Sequence, residues 1–348
     1  MIDARSPSEF ALDHIPGAIN CPVLDDEERR IVGTLYKQSG AFEARRVGGA
    51  MVAENLARHL REQFADRPAQ WAPLVYCWRG GLRSGSMTTW LRMVGWDAQQ
   101  LAGGYKSWRR HVIQTIETLA PQLPLVVVCG ATGSAKTQVL HVLAAHGEQT
   151  LDLEGLARHK GSLLGDLPDA PQPSQTAFET ALGAQLEQLD LRRPVYVEGE
   201  SRKIGRLTVP APLVERMRAS ACIEISATVP ARLAYLLRDY AYLGDRPQWL
   251  AERLGFLKAL HGKEVISSWQ AMAQAGELAP LFEQLAVRHY DPCYARSQSS
   301  HFQAWDQRQR LETDDLSVEG IGQLARRIIE SERPSQTAGT ASDSPTPA

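Results

Sequence analysis

Apolar residues along this chain come in two rhythms. Up to about residue 228, short unbroken apolar runs alternate with longer stretches in which apolar positions recur every three or four residues. A short β-prone run bounded by turn signals reads as a strand buried in a parallel sheet, and the stretches between as crossover helices. The expected strands lie at 2–5, just after the turn 14–20, at 74–77, 125–129 and 194–198, with the last at Cys222 to Ile225. Helix starts are marked by Ser6, Pro7 and Glu9, which fit an N-cap, a first-turn proline and the far end of a capping box. After the 74–77 run, helix-forming residues resume from Met87, and a closing helix runs to about Leu119. From Val229 onward the rhythm is helical: 231–242, 249–260 and 263–275 each carry an apolar stripe and a charged outer face.

Two prolines within 120–124 read as a linker, and residues after Glu332 are poor in apolar side chains. The expected fold class is therefore α/β. A parallel-sheet domain spans 1–119, a linker 120–124, a second α/β domain 125–228, a helical extension 229–332 and a disordered tail 333–348. The segment 25–49 is expected to be a loop and helix, either solvated or shaping a substrate surface.

Composition narrows the function. The 348 residues are 43% hydrophobic, enough for real cores, and the net charge of −2 gives no global basic field for nucleic acid. Any RNA contact must come from local patches. The five cysteines are scattered and include no CxxC pair, which speaks against zinc and against a disulfide framework. No apolar run approaches a membrane span, and no signal peptide is present, so a cytoplasmic protein with no membrane partner is expected.

Two loops carry chemistry. The first follows the 74–77 run: Cys77, Trp78, Arg79, Gly80, Gly81, Leu82, Arg83, Ser84. A thiol there faces loop N–H groups, a helix N-terminus and the guanidinium groups of Arg79 and Arg83, all of which favour the thiolate. The glycines let the loop curl round an anion. The second is Gly130, Ala131, Thr132, Gly133, Ser134, Ala135, Lys136, Thr137, between a strand and a helix, the context a phosphate-binding P-loop requires. Its N–H groups cradle phosphates, Lys136 meets their charge, and Thr137 reaches a metal ion. Ala135 stands where the pattern has glycine. Asp152, Glu154, Arg158 and His159 follow the next strand, and Glu198, Glu200 and Arg202 the one after, as acid, metal or phosphate candidates. Magnesium is admitted by this set, but no residue commits to a metal. Arg202, Lys203 and Arg206 suit an anionic ligand or an RNA backbone. Residues 288–294 suit base stacking or a packed turn.

The ordered set Asp3-x-Arg5, Glu9-Phe10, His14 to Asn20, the Cys77 loop and the 101–105 glycine turn resembles a rhodanese domain, a carrier of sulfur or selenium on cysteine. Such domains carry residues ahead of the first strand, so a truncated start or lost edge cover is expected here. The whole set of motifs, with 152–162, 198–205 and 290–294 added, resembles the bacterial tRNA 2-selenouridine synthase family over residues 2 to about 295. The resemblance implies a rhodanese-like domain, a P-loop NTPase-like domain and a two-step change at the wobble 2-thiouridine of certain tRNAs. Geranyl diphosphate first alkylates the sulfur; selenium from selenophosphate then replaces it. It implies that the P-loop, Gly130 to Thr137, binds geranyl diphosphate, and that Cys77 carries selenium, as a perselenide. Arg79, Gly80, Gly81, Arg83 and Ser84 would then hold the selenophosphate anion. No tightly bound cofactor is implied, and an enzyme supplying selenophosphate is a natural partner.

Three other readings stay open on the residues alone. An ATP-dependent tRNA sulfur transferase uses the same two loops. A cysteine phosphatase fits the five residues between Cys77 and Arg83, although Tyr76 stands where such enzymes usually have histidine. A nucleotide-gated sulfur sensor needs no catalysis at all.

Overall fold

A computed structural model describes residues 1–332, apart from the side chain of Ser297. The expected tail at 333–348 lies outside the described residues. The first sheet has four parallel strands, β1 (Ile2–Asp3), β2 (Ile19–Asn20), β3 (Leu74–Tyr76) and β4 (Gln99–Gln100), in the order β2-β1-β3-β4. Ser6 caps the helix Pro7–Leu12 with Glu9 closing the box, as its spacing predicts. The 25–49 segment is more ordered than a loop and helix. Two helices, Asp26–Gln38 and Ala41–Glu62, pack against each other there.

The second sheet contains β5 (Leu125–Gly130), β6 (Gln149–Leu151), β7 (Val195–Glu198), β10 (Ala221–Ala227) and β11 (Gln309–Thr313), all parallel in the order β11-β10-β5-β7-β6. A small antiparallel hairpin, β8 (Lys203–Ile204) with β9 (Leu207–Thr208), stands beside it. Every residue of β5 is buried, which explains its unbroken apolar run. Each such valine contributes on the order of 1.5–3 kcal/mol by leaving water.

Three expectations need correcting. Cys222 to Ile225 is not the last strand, because β11 returns after the helices and pairs with β10. The helix Val318–Glu332 then covers the helix Lys136–Ala145, so 309–332 completes the second domain rather than the helical extension. The Gln309–Thr313 strand alternates exposed and buried residues at a sheet edge and offers no apolar run to read. The 120–124 segment, expected as a linker, forms a 3-10 turn, Ala120–Gln122, with Ala120 and Leu123 buried in the second domain's core. Finally, the helix after the Cys77 loop begins at Leu82, five residues before Met87.

The two domains share a packed seam. The helix Gly104–Leu119 lies on the helix Gln175–Leu186, and Val112 and Ile116 join the second domain's core. At the buried centre, Asp13 accepts hydrogen bonds from Tyr105 Oη at 2.5 Å and Thr180 Oγ1 at 2.8 Å. Arg109 bridges to Glu179 beside them.

Candidate functional site

Each domain carries a glycine-containing loop between a buried strand and a helix. In the first, β3 delivers Cys77 to its C-terminal end, where the chain turns into the helix Leu82–Val94. Gly81 N–H donates to Cys77 Sγ at 3.3 Å and Ser84 Oγ donates at 3.1 Å. Burial opposes ionisation of the thiol, yet the Ser84 hydroxyl, the Ser84 and Gly81 N–H groups and the Arg83 charge outweigh it and hold its pKa below the ordinary value of 9.0. Gly104 makes the close approach: a Cβ there would stand 2.2 Å from Cys77 O, and its φ of 57° lies in the left-handed region.

The two arginines do different work. Arg83 reaches the loop and is held by Glu9, Nη1 to Oε2 at 2.5 Å. Arg79 sits on the exposed shoulder and, among the described residues, touches no acidic partner and no cysteine. Gln100, which the sequence did not single out, donates to Ser84 Oγ at 2.8 Å and to Gly81 O at 3.1 Å. It ties up the competing carbonyl and leaves the Ser84 proton for sulfur.

In the second loop, β5 ends at Gly130 and the helix begins at Lys136. Gly133 has a φ of 82°, and a Cβ would stand 2.8 Å from Leu236 Cγ. Ala135 takes the left-handed conformation that glycine holds more easily, with φ 59° and ψ 26°. Its methyl is buried in the apolar cluster under the loop, so the cost is in the backbone rather than in crowding of a ligand. Lys136 Nζ donates to Gly130 O at 3.3 Å and lies 5.3 Å from the Tyr294 ring centroid.

Around the loop, carboxylates gather. Thr137 Oγ1 donates to Glu154 Oε2 at 3.0 Å, and Glu154 N–H donates to Glu198 Oε1 at 2.8 Å. Burial, followed by the adjoining Glu200 charge, pushes the Glu154 pKa up to about 8, against the pull of Lys136 and Thr137. Burial and the neighbouring Asp152 and Glu154 push Glu198 up as well. Glu198 Oε2 and Glu200 Oε1 are shut from water without a hydrogen-bond partner. Asp152, by contrast, caps the helix Leu153–Ala157 and pairs with His141, and Arg158 and Arg202 are exposed. His159 is buried, and burial lowers its pKa despite Asp166 beside it.

The 290–294 motif braces this loop instead of standing free for stacking. Asp291 takes both guanidinium nitrogens of Arg232 at 2.7 Å, and Arg232 Nη1 also donates to Thr132 O at 3.2 Å. Gln298 Nε2 donates to Gly130 O at 3.3 Å. Arg232 gave no signal in the sequence, since its partner lies 59 residues away.

Three cavities meet at Ser162. One of about 260 Å³ holds the P-loop with Glu154. One of about 590 Å³ has an apolar wall of Val214, Met217, Tyr290, Tyr294 and Phe302. The largest, about 810 Å³, lies on the side of the β8–β9 hairpin. Among the described residues, no three His, Cys, Asp or Glu side chains converge as a metal site. No described helix is long and apolar enough to cross a membrane.

The fold joins a rhodanese-like parallel-sheet domain to a P-loop-type α/β domain. The rhodanese-like domain model matches residues 1–111, and the tRNA 2-selenouridine synthase AAA domain model matches 123–253. The Shewanella halifaxensis tRNA 2-selenouridine synthase is 33% identical over 326 residues, 84% of this chain and 87% of that protein. The Cupriavidus necator protein of the same name is 36% identical over 334 residues, with 85% and 87% covered. That of Nitrosomonas europaea is 39% identical over 244 residues, 69% of this chain but only 63% of its own length. Among solved structures, the N-terminal domain of a putative ATP/GTP binding protein from Clostridium difficile 630 is 37% identical, covering 32% of this chain and 87% of that one, with a TM-score of 0.30. The chain belongs to the tRNA 2-selenouridine synthase family.

Proposed function

We propose that this chain is a transferase that converts wobble 2-thiouridine in tRNA to 2-selenouridine, in two steps at two sites within a reducing, cytoplasmic compartment. The 2-thio sulfur attacks C1 of geranyl diphosphate, the C–O bond breaks, and diphosphate leaves. Hydrogen selenide anion freed from selenophosphate then attacks C2, the C2–S bond breaks, and the sulfur takes a proton and departs as a neutral geranyl thiol, a far better leaving group than a thiocarbonyl sulfur.

One observation carries the reading. The P-loop cavity adjoins a cavity walled by apolar and aromatic side chains, with Tyr294 lining both. That pairing suits a diphosphate carrying an isoprenoid chain: loop N–H groups and Lys136 take the phosphates, and the apolar wall takes the hydrocarbon. As the C–O bond breaks, charge grows on the diphosphate and Lys136 stabilises it in place. In the other domain the loop N–H groups with Arg83 and Ser84 bind selenophosphate. The Cys77 thiolate attacks its phosphorus, the Se–P bond breaks to free selenide for C2, and water then takes the phosphoryl group off sulfur as phosphate. Arg79, exposed on the rim, serves as a steering charge.

The residues also fit a magnesium ion. Mg²⁺ commonly uses one or two carboxylates together with substrate phosphates and waters. Thr137 Oγ1 and Glu154 would hold it, and orphaned oxygens of Glu198 and Glu200 lie in the same group. Such an ion neutralises phosphate charge when bound.

Nucleoside mass spectrometry tests the proposal. The protein is incubated with 2-thiouridine tRNA and geranyl diphosphate, with and without selenophosphate. A geranylated nucleoside that becomes selenouridine only when selenophosphate is added is expected. Unchanged 2-thiouridine alongside ATP-dependent turnover on tRNA overturns it in favour of the sulfur-transfer reading.

A further inference from the structure

The largest cavity takes no part in the account above. It holds about 810 Å³, within the roughly 300–1,000 Å³ of sites that enclose small ligands. Lys203, Arg206, Arg246 and Arg253 surround it, with Asp166 the one acidic residue among its lining. Tyr242 and Trp249 supply aromatic faces. In a chain of net charge −2, this is a local concentration of cations.

Its parts are unequally free. Arg253 is pinned by Asp166 and lies 5.0 Å from the Trp249 ring centroid, so guanidinium and indole form a fixed stacked pair. Arg206 is engaged by the Gln172 carbonyl. Lys203 and Arg246 are exposed, and neither side chain has a partner among the described residues. They stand on opposite elements, Lys203 on the β8–β9 hairpin and Arg246 just before the helix Pro247–Gly255. In the wall, Tyr242 Oη and His159 Nδ1 are cut off from water with no hydrogen-bond partner. Buried polar atoms of that kind call for a bound group or an ordered water. His159, Ser162 and Leu167 line this cavity and the P-loop cavity alike, so an occupant of one is next to the other.

Exposed cations on the rim around fixed aromatic and guanidinium faces are what a single-stranded RNA segment needs. Cations track the backbone and flat faces take unstacked bases. We propose that this cavity receives the unpaired loop of the RNA substrate: Lys203 and Arg246 contact its phosphates, and Tyr242 with the Trp249–Arg253 pair stacks its bases, presenting the wobble base to the P-loop cavity. This inference rests on the tRNA reading proposed above.

The test uses the full chain and a fluorescent anticodon stem–loop RNA carrying 4-thiouridine at the wobble position. Lys203→Ala with Arg246→Ala removes two exposed side chains that hold nothing in the fold. The expected results are at least a tenfold weaker Kd and a salt dependence, d log K/d log [salt], shallower by about 1.4, from two single-strand phosphate contacts at about 0.7 each. Reaction of Cys77 with iodoacetamide should be unchanged. Photocrosslinking of the wild-type complex should place the wobble base on peptides containing residues 159–172 or 242–253. Wild-type RNA binding that the double variant leaves intact, or crosslinks confined to other peptides, overturns the cavity assignment while the tRNA reading stands. Failure of the wild type to bind the stem–loop or intact tRNA strikes the tRNA reading itself.

Discussion

The Cys77 loop and the P-loop each follow a buried parallel strand, and they treat negative charge in opposite ways. At Cys77, donors outnumber acceptors: Gly81 N–H, Ser84 Oγ and the Arg83 charge converge on one sulfur, and a buried thiol still ionises more easily than a free one. At the P-loop, Glu154, Glu198 and Glu200 crowd together beside Lys136, and burial drives Glu154 and Glu198 toward the neutral form. The lesson is that a buried loop end has no fixed electrostatic character. The count of donors against carboxylates decides it. The first loop is prepared to hold an anion on sulfur. The second is prepared to gain a cation or give up a proton when phosphates arrive.

The contrast can be broken by substitution. Lys136→Ala has the largest expected effect. Removing the P-loop lysine that the proposal sets against the departing diphosphate should slow alkylation by about 10²–10³-fold, the usual scale for a lost charge-stabilising donor. Cys77 reactivity toward iodoacetamide should not move. Equal losses at both sites would mean that the two loops do not act separately.

Ser84→Ala comes next. It deletes a hydrogen bond to a charged sulfur, worth about 1.5–3 kcal/mol, so alkylation of Cys77 at neutral pH should slow about ten- to a hundredfold. The rate should recover as the pH is raised, because the thiolate can still form. A pH profile that does not shift would contradict the donor account.

Glu154→Gln probes the opposite loop. The folded-state pKa of about 8 lies above the ordinary 4.5, so the folded protein holds a proton that the unfolded chain releases. Stability from this group is complete below about pH 4.5 and is lost as pH rises through about 8. The amide, which cannot ionise, should flatten that decline, and thermal melts should show the variant gaining on wild type between pH 4.5 and about 8, the interval between the ordinary and the folded-state values. No gain would mean that Glu154 is ionised and compensated.

Ala135→Gly is expected to do least. It relieves a left-handed alanine, worth about 1 kcal/mol, and so should raise the melting temperature slightly. Affinity for geranyl diphosphate should be unchanged within about twofold, because the methyl faces the core and a full kcal/mol would show as more than that. A large change in affinity would show that the methyl shapes the ligand cradle after all.

The same contrast explains what could be read along the chain. The Ser6 capping box, the Cys77 loop and the P-loop are local, each within a few residues of a strand or helix end, and periodicity with turn chemistry finds them. The partners that set their electrostatics are distant. Glu9 meets Arg83 across 74 residues, Arg232 meets Asp291 across 59, and Glu154 meets Glu198 across 44. β11 escaped for a different reason: an edge strand needs only one buried face, so Gln309–Thr313 carries no apolar run. Asp152 and Arg158 line the P-loop cavity and Arg202 the apolar-walled one, Asp152 as a helix cap and the two arginines as exposed side chains.

The central claim is that the two loops perform separate steps, and one reaction tests it most directly. The Cys77→Ser variant is given 2-thiouridine tRNA, geranyl diphosphate and selenophosphate together, and the nucleosides are followed by mass spectrometry. The account predicts that S-geranyl-2-thiouridine accumulates and 2-selenouridine does not form. Selenouridine appearing at the wild-type rate would contradict it.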